Sequence, residues 1–237
     1  MREILSRLKR VKRILMEKSL RRDEYDERFA MTLRQWLIMH QKEIVFDKMT
    51  WMGTKIWKNP LDAWIYQEII HEIRPDVVIE IGSAYGGSTR YFADLLGLVG
   101  NGIVVSIDID RSKYHLEHER VIILTGNSSD PHIISQVKEI CSGRRTMVIQ
   151  DGGHSKAQVL SDLENYSEFV TLHSYFIVED GIVDLFYPED GLGFEEEGPL
   201  AAIEEFVSKR ADFEIDRTME RYLITYNPKG FLKKISE

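Results

Sequence analysis

The feature that most constrains this chain is a repeated pattern of short, almost wholly apolar runs separated by helical stretches. Val77 to Ile81, Ile103 to Ile107, Val121 to Leu124, Met147 to Ile149 and Tyr175 to Val178 are each too short for a helix and lack the alternation of a half-buried strand. Thr89 to Leu96 and the segments near residues 131 to 141 and 156 to 169 lie between them with helical patterning. Apolar strands alternating with helices predict a parallel sheet covered on both faces, because only strands buried on both sides carry no polar face. Upstream, Asn59-Pro60-Leu61-Asp62 is a helix start, with Asn59 able to cap and Pro60 suited to the first turn, and the helix should run to about Ile73.

After strand five the rhythm changes. Asp184 to Gly198 is rich in glycine and acid and predicts a mobile lid. Pro199 to Lys209 reads as a helix, and Phe213 to Asp216 followed by Tyr222 to Tyr226 predicts an antiparallel pair. The expected fold is therefore α/β: a Rossmann-like, seven-stranded, mostly parallel sheet with helices on both faces, the plan of the class I methyltransferases. At 237 residues and 43% hydrophobic the chain can bury one substantial core. We expect a methyltransferase-type domain over 50–237 preceded by a helical extension over 1–49.

The extension begins with nine basic residues among the first 22 against Glu3 and Glu17, while Ile4, Leu8, Val11 and Leu15 recur at helical spacing. The segment 1–22 thus predicts a basic amphipathic helix with two readings, a homo-oligomer or packing contact and peripheral attachment to an anionic membrane. The net charge of −8 argues against sequence-independent nucleic-acid binding, which needs a cationic surplus, and points to a small-molecule partner. A lone Cys141, with no C-x-x-C pair, excludes an intrachain disulfide and points to the cytosol.

Glu80-Ile81-Gly82-Ser83-Ala84-Tyr85-Gly86-Gly87-Ser88 lies where the first strand turns into the next helix. Glycines there permit a tight turn and a close backbone approach to a ligand. The G-x-G-x-x-G spacing that seats a pyrophosphate is absent, which favours S-adenosylmethionine (SAM), a cofactor without phosphate. Asp108 ends the second strand, where a carboxylate can accept from both ribose hydroxyls, and Ser128 lies at the same edge within reach of an adenine, although it could equally cap a helix. The candidate cofactor residues are Glu80, Gly82, Ser83, Tyr85, Gly87, Ser88, Asp108 and Ser128.

Asp151 ends the fourth strand and Glu179-Asp180 the fifth. Parallel neighbours lie about 4.8 Å apart, so these acids can converge, and converging carboxylates call for a proton or a cation. Oxygen ligands favour Mg²⁺. In Asp151-Gly152-Gly153-His154 the imidazole falls beside that point, and a neutral histidine is a suitable general base at pH 7. Asp151 and His154 are the candidate catalytic residues, and Asp151, Glu179 and Asp180 the candidate metal ligands.

With Trp51-Met52-Gly53, Asn59-Pro60-Leu61-Asp62, Glu80-Ile81-Gly82 with Gly86-Gly87-Ser88, Asp151-x-x-His154 and Glu179-Asp180 in hand, the chain resembles the cephalosporin hydroxylase and rhamnosyl O-methyltransferase family over roughly residues 50 to 226. The resemblance implies a SAM-binding, Mg²⁺-dependent fold akin to the macrolide-sugar O-methyltransferases and more distantly to catechol O-methyltransferase. It further implies that the counterparts of Asp151, Glu179 and Asp180 hold the metal and that His154 takes the hydroxyl proton. The acceptor would be a hydroxyl of a sugar, glycoside or catechol-like molecule. An iron-dependent hydroxylase and a non-catalytic SAM-binding scaffold are the alternatives. Non-haem iron usually takes two histidines and one carboxylate, whereas this cluster offers one histidine and three acids.

Overall fold

The structure, a computed structural model, describes residues 7–12, 25–193 and 196–237. The chain divides into two compact units, Met1–Ile44 and Val45–Glu237. In the first, residues 7–12 are helical and exposed; the rest of the expected amphipathic helix over 1–22 lies outside the described residues. Helix α1 (Leu33–Met39) starts at a capping box, in which the Gln35 backbone N–H donates to Thr32 Oγ1 at 3.2 Å and Thr32 N–H donates to Gln35 Oε1 at 2.9 Å.

The second unit opens with a small hairpin, β1 (Thr50–Trp51) and β2 (Thr54–Lys55), and then alternates as the sequence predicts. The order is α2 (Pro60–Ile73), β3 (Val77–Ile81), α3 (Gly87–Val99), β4 (Ile103–Asp108), β5 (Val121–Thr125), α4 (Pro131–Cys141), β6 (Thr146–Gln150), α5 (Lys156–Tyr166), β7 (Tyr175–Val178), α6 (Pro199–Lys209), β8 (Phe213–Ile215) and β9 (Phe231–Lys234). The helix starts are chemically marked. Asn59 and Asp130 each accept from a backbone N–H two residues on, each is followed by proline, and Ser155 accepts from Gln158 N–H.

The seven-stranded sheet has the order β5-β4-β3-β6-β7-β9-β8, parallel from β5 to β7 and antiparallel around β9. Residues of alternating parity in each strand enter opposite cores, as the pleat requires. Val77, Ile79 and Ile81 join Ile133, Val137, Val159, Leu163, Ile203 and Phe206 on one face, whereas Val78, Val104, Ile149 and Ile177 join Ile65, Ile69, Phe92 and Leu96 on the other. Both β3 and β6 are buried throughout, which is why each reads as an almost wholly apolar run, with Glu80 in β3 and Thr146 and Gln150 at the ends of β6 as the buried polar exceptions.

The end of the chain differs from expectation. Tyr222 to Tyr226 forms no strand, and the partner of β8 is Phe231–Lys234, which inserts between β7 and β8. The reason is a buried carboxylate. Asp62 on α2 accepts from Thr225 Oγ1 at 2.6 Å and from Tyr226 N–H at 2.8 Å, so this segment spends its polar groups on Asp62 instead of on a ladder. The chain then turns at Asn227-Pro228-Lys229-Gly230 before pairing. Within the expected lid, Asp184 to Gly198, Pro188–Asp190 is a short 3₁₀ turn, a second turn, Gly181–Leu185, leads into it, and Asp184 accepts from Leu200 N–H at 2.8 Å at the start of α6; residues 194 and 195 lie outside the described residues.

Candidate active site

The loop after β3 and the loop after β6 are pressed together at the C-terminal edge of the sheet. Gly82 has φ +86°, and a Cβ there would lie 2.1 Å from the Asp151 carbonyl oxygen. Gly82 N–H donates to Ile107 O at 2.8 Å and Asp151 N–H to Ile81 O at 2.7 Å, extending the parallel ladder past its ends. Gly87 is required by a different neighbour: its Cβ would meet the Lys55 carbonyl oxygen at 2.1 Å, where the β1–β2 hairpin covers the start of α3.

Asp108 closes over this loop. One carboxylate oxygen accepts from Ser83 N–H at 2.8 Å, Ala84 N–H at 2.9 Å and Ser83 Oγ at 3.2 Å, and the other accepts from Asp110 N–H at 2.9 Å. Burial pushes the Asp108 carboxyl up, but these N–H donors and the Arg111 guanidinium outweigh it and hold the group below its ordinary range. Arg111 itself ties the loop to the sheet, donating to Ser83 Oγ at 2.6 Å, to Ser106 O at 2.7 Å and to Leu124 O at 2.9 Å.

Glu80 lies below the loop, fully buried on the α2–α3 side of β3, where it accepts from Thr89 Oγ1; its Oε1 has no hydrogen-bond partner. Burial lifts its carboxyl to about 7 against the pull of Lys58, Ser88 and Thr89. Glu80 and Ser88 thus brace the start of α3 from within. Tyr85 meets the ring of Trp57 edge-on at 5.2 Å, with the Lys55 and Lys113 ammoniums 5.0 and 5.5 Å from its centroid. Ser128 is turned away from the loop face into the fold, donating to Asp162 Oδ1 at 2.6 Å and accepting from Gln158 Nε2 at 3.3 Å.

Asp151, His154 and Asp180 come together at the ends of β6 and β7, with one ligand atom of each within 4.8 Å of the others. His154 Nε2 lies 3.5 Å from Asp180 Oδ2. Gln150 anchors the intervening glycines by donating to Gly153 O at 3.0 Å. Asp180 takes a left-handed conformation (φ +58°) and its N–H donates to Asn227 Oδ1 at 3.1 Å, so the turn that ended the expected strand also fixes this acid. Burial, reinforced by Asp151, raises the Asp180 carboxyl above its ordinary range.

Glu179 is buried beside Asp151, on a partner of which the sequence offered no sign. Lys58, only 2% exposed, reaches across from the residue before the α2 cap to place Nζ 2.6 Å from Glu179 Oε2 and 2.5 Å from Asp151 Oδ2. Burial raises the Glu179 carboxyl well above its ordinary range, and the neighbouring Asp151 adds to this. Its Oε1 is buried without a hydrogen-bond partner. Asp151, His154 and Asp180, each half-buried, form a donor set that fits a hard divalent ion such as Mg²⁺, and Lys58 ties the buried Glu179 to Asp151 beside it.

Residues 43–235 match the family model Rhamnosyl O-methyltransferase/CmcI. The rhamnosyl O-methyltransferase of Mycobacterium bovis BCG is 31% identical over 198 residues, covering 80% of this chain and 79% of the relative. That of Mycobacterium leprae is 31% identical over 197 residues, covering 79% and 84%. A solved structure of CmcI with magnesium and SAM superposes with a TM-score of 0.64 at 20% identity, covering 87% of this chain and 85% of the other, a likeness of fold. By the extent of the family match and the identity to these relatives, the chain belongs to the rhamnosyl O-methyltransferase/CmcI family.

Proposed function

We propose that this chain is a SAM-dependent O-methyltransferase that methylates one hydroxyl of a sugar or glycoside carrying a neighbouring hydroxyl, with His154 as general base. Family membership supports the methyl transfer, and the names of the mycobacterial relatives support a sugar acceptor. The observation that carries the site assignment is the packing of Gly82 on Asp151, which sets the glycine loop directly beside the Asp151, His154 and Asp180 cluster.

In the transfer, the bond from sulfur to the methyl carbon breaks as the acceptor oxygen bonds to that carbon. The hydroxyl proton goes to His154, leaving a methyl ether and S-adenosylhomocysteine. SAM, held by the Gly82 to Ser88 loop, supplies an electrophilic methyl group. A divalent ion held by Asp151, Asp180 and Glu179 would supply Lewis-acid polarisation of the acceptor oxygens. Asp180, 3.5 Å from the imidazole, orients His154 and stabilises the imidazolium that forms. Asp108 holds the loop amides in register, and the exposed Trp57, edge-on to Tyr85, offers an aromatic face beside the cofactor loop.

Two parts of the proposal concern the first 22 residues. Their basic composition supports a contact between copies of the chain or with an anionic membrane. No helix among the described residues is long and apolar enough to cross a membrane. Removing residues 1–22 should reduce the assembly size in light scattering under the first reading, and abolish salt-sensitive vesicle binding under the second.

The deciding test is methyl transfer from labelled SAM to a panel of rhamnosides, other glycosides and catechols, before and after chelation. Label in a glycoside, lost on chelation and restored by Mg²⁺, is the expected result. Transfer to catechols alone would overturn the sugar assignment, and full transfer by a demonstrably metal-free chain would overturn the metal assignment.

A further inference from the structure

We propose that Lys58 is an internal counter-cation that competes with the divalent ion for Asp151 and Glu179 and thereby sets how tightly the site holds metal. This inference rests on the metal reading above. A lysine ammonium taken from water into a protein interior costs several kcal/mol unless it is fully paired, so Lys58 at 2% exposure demands an explanation. Its hydrogen bonds are to Asp151 Oδ2 and Glu179 Oε2.

The placement is imposed by the fold. Lys58 directly precedes Asn59, which caps α2, and Asn59 is fixed in turn by donating to Asp62 at 2.9 Å. The ammonium is therefore delivered by the start of α2, an element separate in sequence from the β6 and β7 loops that carry the acids.

The partition of oxygens gives the contact its meaning. Lys58 takes one oxygen of Asp151 and one of Glu179, while the second oxygen of Glu179 stays buried without a hydrogen-bond partner. The cluster holds three carboxyl groups against one ammonium, so carboxylate oxygens remain for a cation beside the two that Lys58 occupies. A positive charge fixed on two of the acids weakens the attraction for that cation by Coulomb repulsion, and removing it strengthens it. Lys58 is thus a positioning residue that exchanges some metal affinity for a site that survives metal loss.

The full-length chain, stripped of metal, can be titrated with Mn²⁺ while the paramagnetic signal of the free ion is followed. Lys58→Met and Lys58→Gln should each bind Mn²⁺ tighter than wild type, on the order of ten-fold or more for loss of a unit charge so close to the ligands. Lys58→Arg, which keeps the charge, should not. The neutral variants should also gain more thermal stability from Mn²⁺ than wild type, and a Lys58→Met chain that folds only when Mn²⁺ is added would equally support the role. A merely structural lysine would give the opposite sign, because losing it would loosen the ligands and weaken binding. Equal or weaker Mn²⁺ affinity in both neutral variants overturns the role of Lys58 and leaves the metal site standing. No Mn²⁺ bound by wild type or by any variant overturns both.

Discussion

Gly82 and Asp151 touch backbone to backbone: the space a side chain would need at Gly82 is filled by the Asp151 carbonyl, 2.1 Å from the position of a Cβ. One contact therefore sets the glycine loop after β3 and the first acid of the proposed metal site at a fixed separation. Gly82→Ala should damage both functions at once, since the alanine must either push the β6 loop away or leave its left-handed conformation (φ +86°). We expect S-adenosylhomocysteine and Mn²⁺ affinities to fall together in calorimetry, with a loss of about 2 kcal/mol or more in urea unfolding. An alanine variant that binds both ligands normally would show that the two loops are not mechanically joined.

Glu80 gives a pH signature. Burial raises its carboxyl from the ordinary range to about 7, so between about pH 4.5 and 7 the folded chain holds this proton more tightly than the unfolded one. Its contribution to stability is therefore greatest at acid pH and falls as pH rises through that window. Glu80→Gln keeps an acceptor for Thr89 and removes the titration. In metal-free protein, the stability of the variant minus that of wild type should increase from pH 4.5 to pH 8 by up to about 3 kcal/mol. A difference that stays flat with pH would mean that Glu80 does not hold its proton at neutrality.

Asp62 is the buried anchor of the C-terminal turn, accepting from Asn59, Thr225 and Tyr226. Asp62→Asn replaces one acceptor oxygen by a donor and leaves either the Tyr226 N–H or a neighbouring donor unmatched. We expect a loss of about 1 to 3 kcal/mol and faster amide exchange at Tyr226. Because Asn227 accepts from Asp180 N–H, Mn²⁺ affinity should weaken as well. Unchanged exchange at Tyr226 would rule out this anchoring.

The parts of the fold that proved legible are those whose physics is local. Val77–Ile81 and Thr146–Gln150 are buried on both faces and so are apolar but for Glu80, Thr146 and Gln150, and Asn59-Pro60 and Asp130-Pro131 mark helix starts by their own chemistry. Tyr222 to Tyr226 carries the aromatic and β-branched residues of a strand, but its donors are claimed by an acid 163 residues away in the sequence, at Thr225. The true edge partner ends in Lys233-Lys234, which looks like a solvated tail. Lys234 is nevertheless 7% exposed, and its ammonium donates to the Val170 carbonyl at 2.9 Å. The acids of the site could be placed because each ends a strand. Lys58 could not, since one lysine among 31 basic residues carries no mark of burial and its partners lie 93 and 121 residues away. Nor could Ser128, whose hydroxyl serves Asp162 across 34 residues.

The closest test of the chemistry separates His154 from Asp180, which lie 3.5 Å apart and both belong to the proposed metal-binding group. If His154 is the base, His154→Ala should keep Mn²⁺ and S-adenosylhomocysteine affinities within a few-fold and slow single-turnover methylation by about 10² to 10⁴. Asp180→Asn should instead lose Mn²⁺ affinity and rate together, because a neutral amide is a poor ligand for a hard cation. Single-turnover conditions matter here, since product release can conceal a slowed chemical step. If His154→Ala loses Mn²⁺ affinity as severely as Asp180→Asn, the imidazole is a metal ligand and the proton must go to a carboxylate or to water. If it methylates at the wild-type single-turnover rate, His154 takes no part in the chemistry.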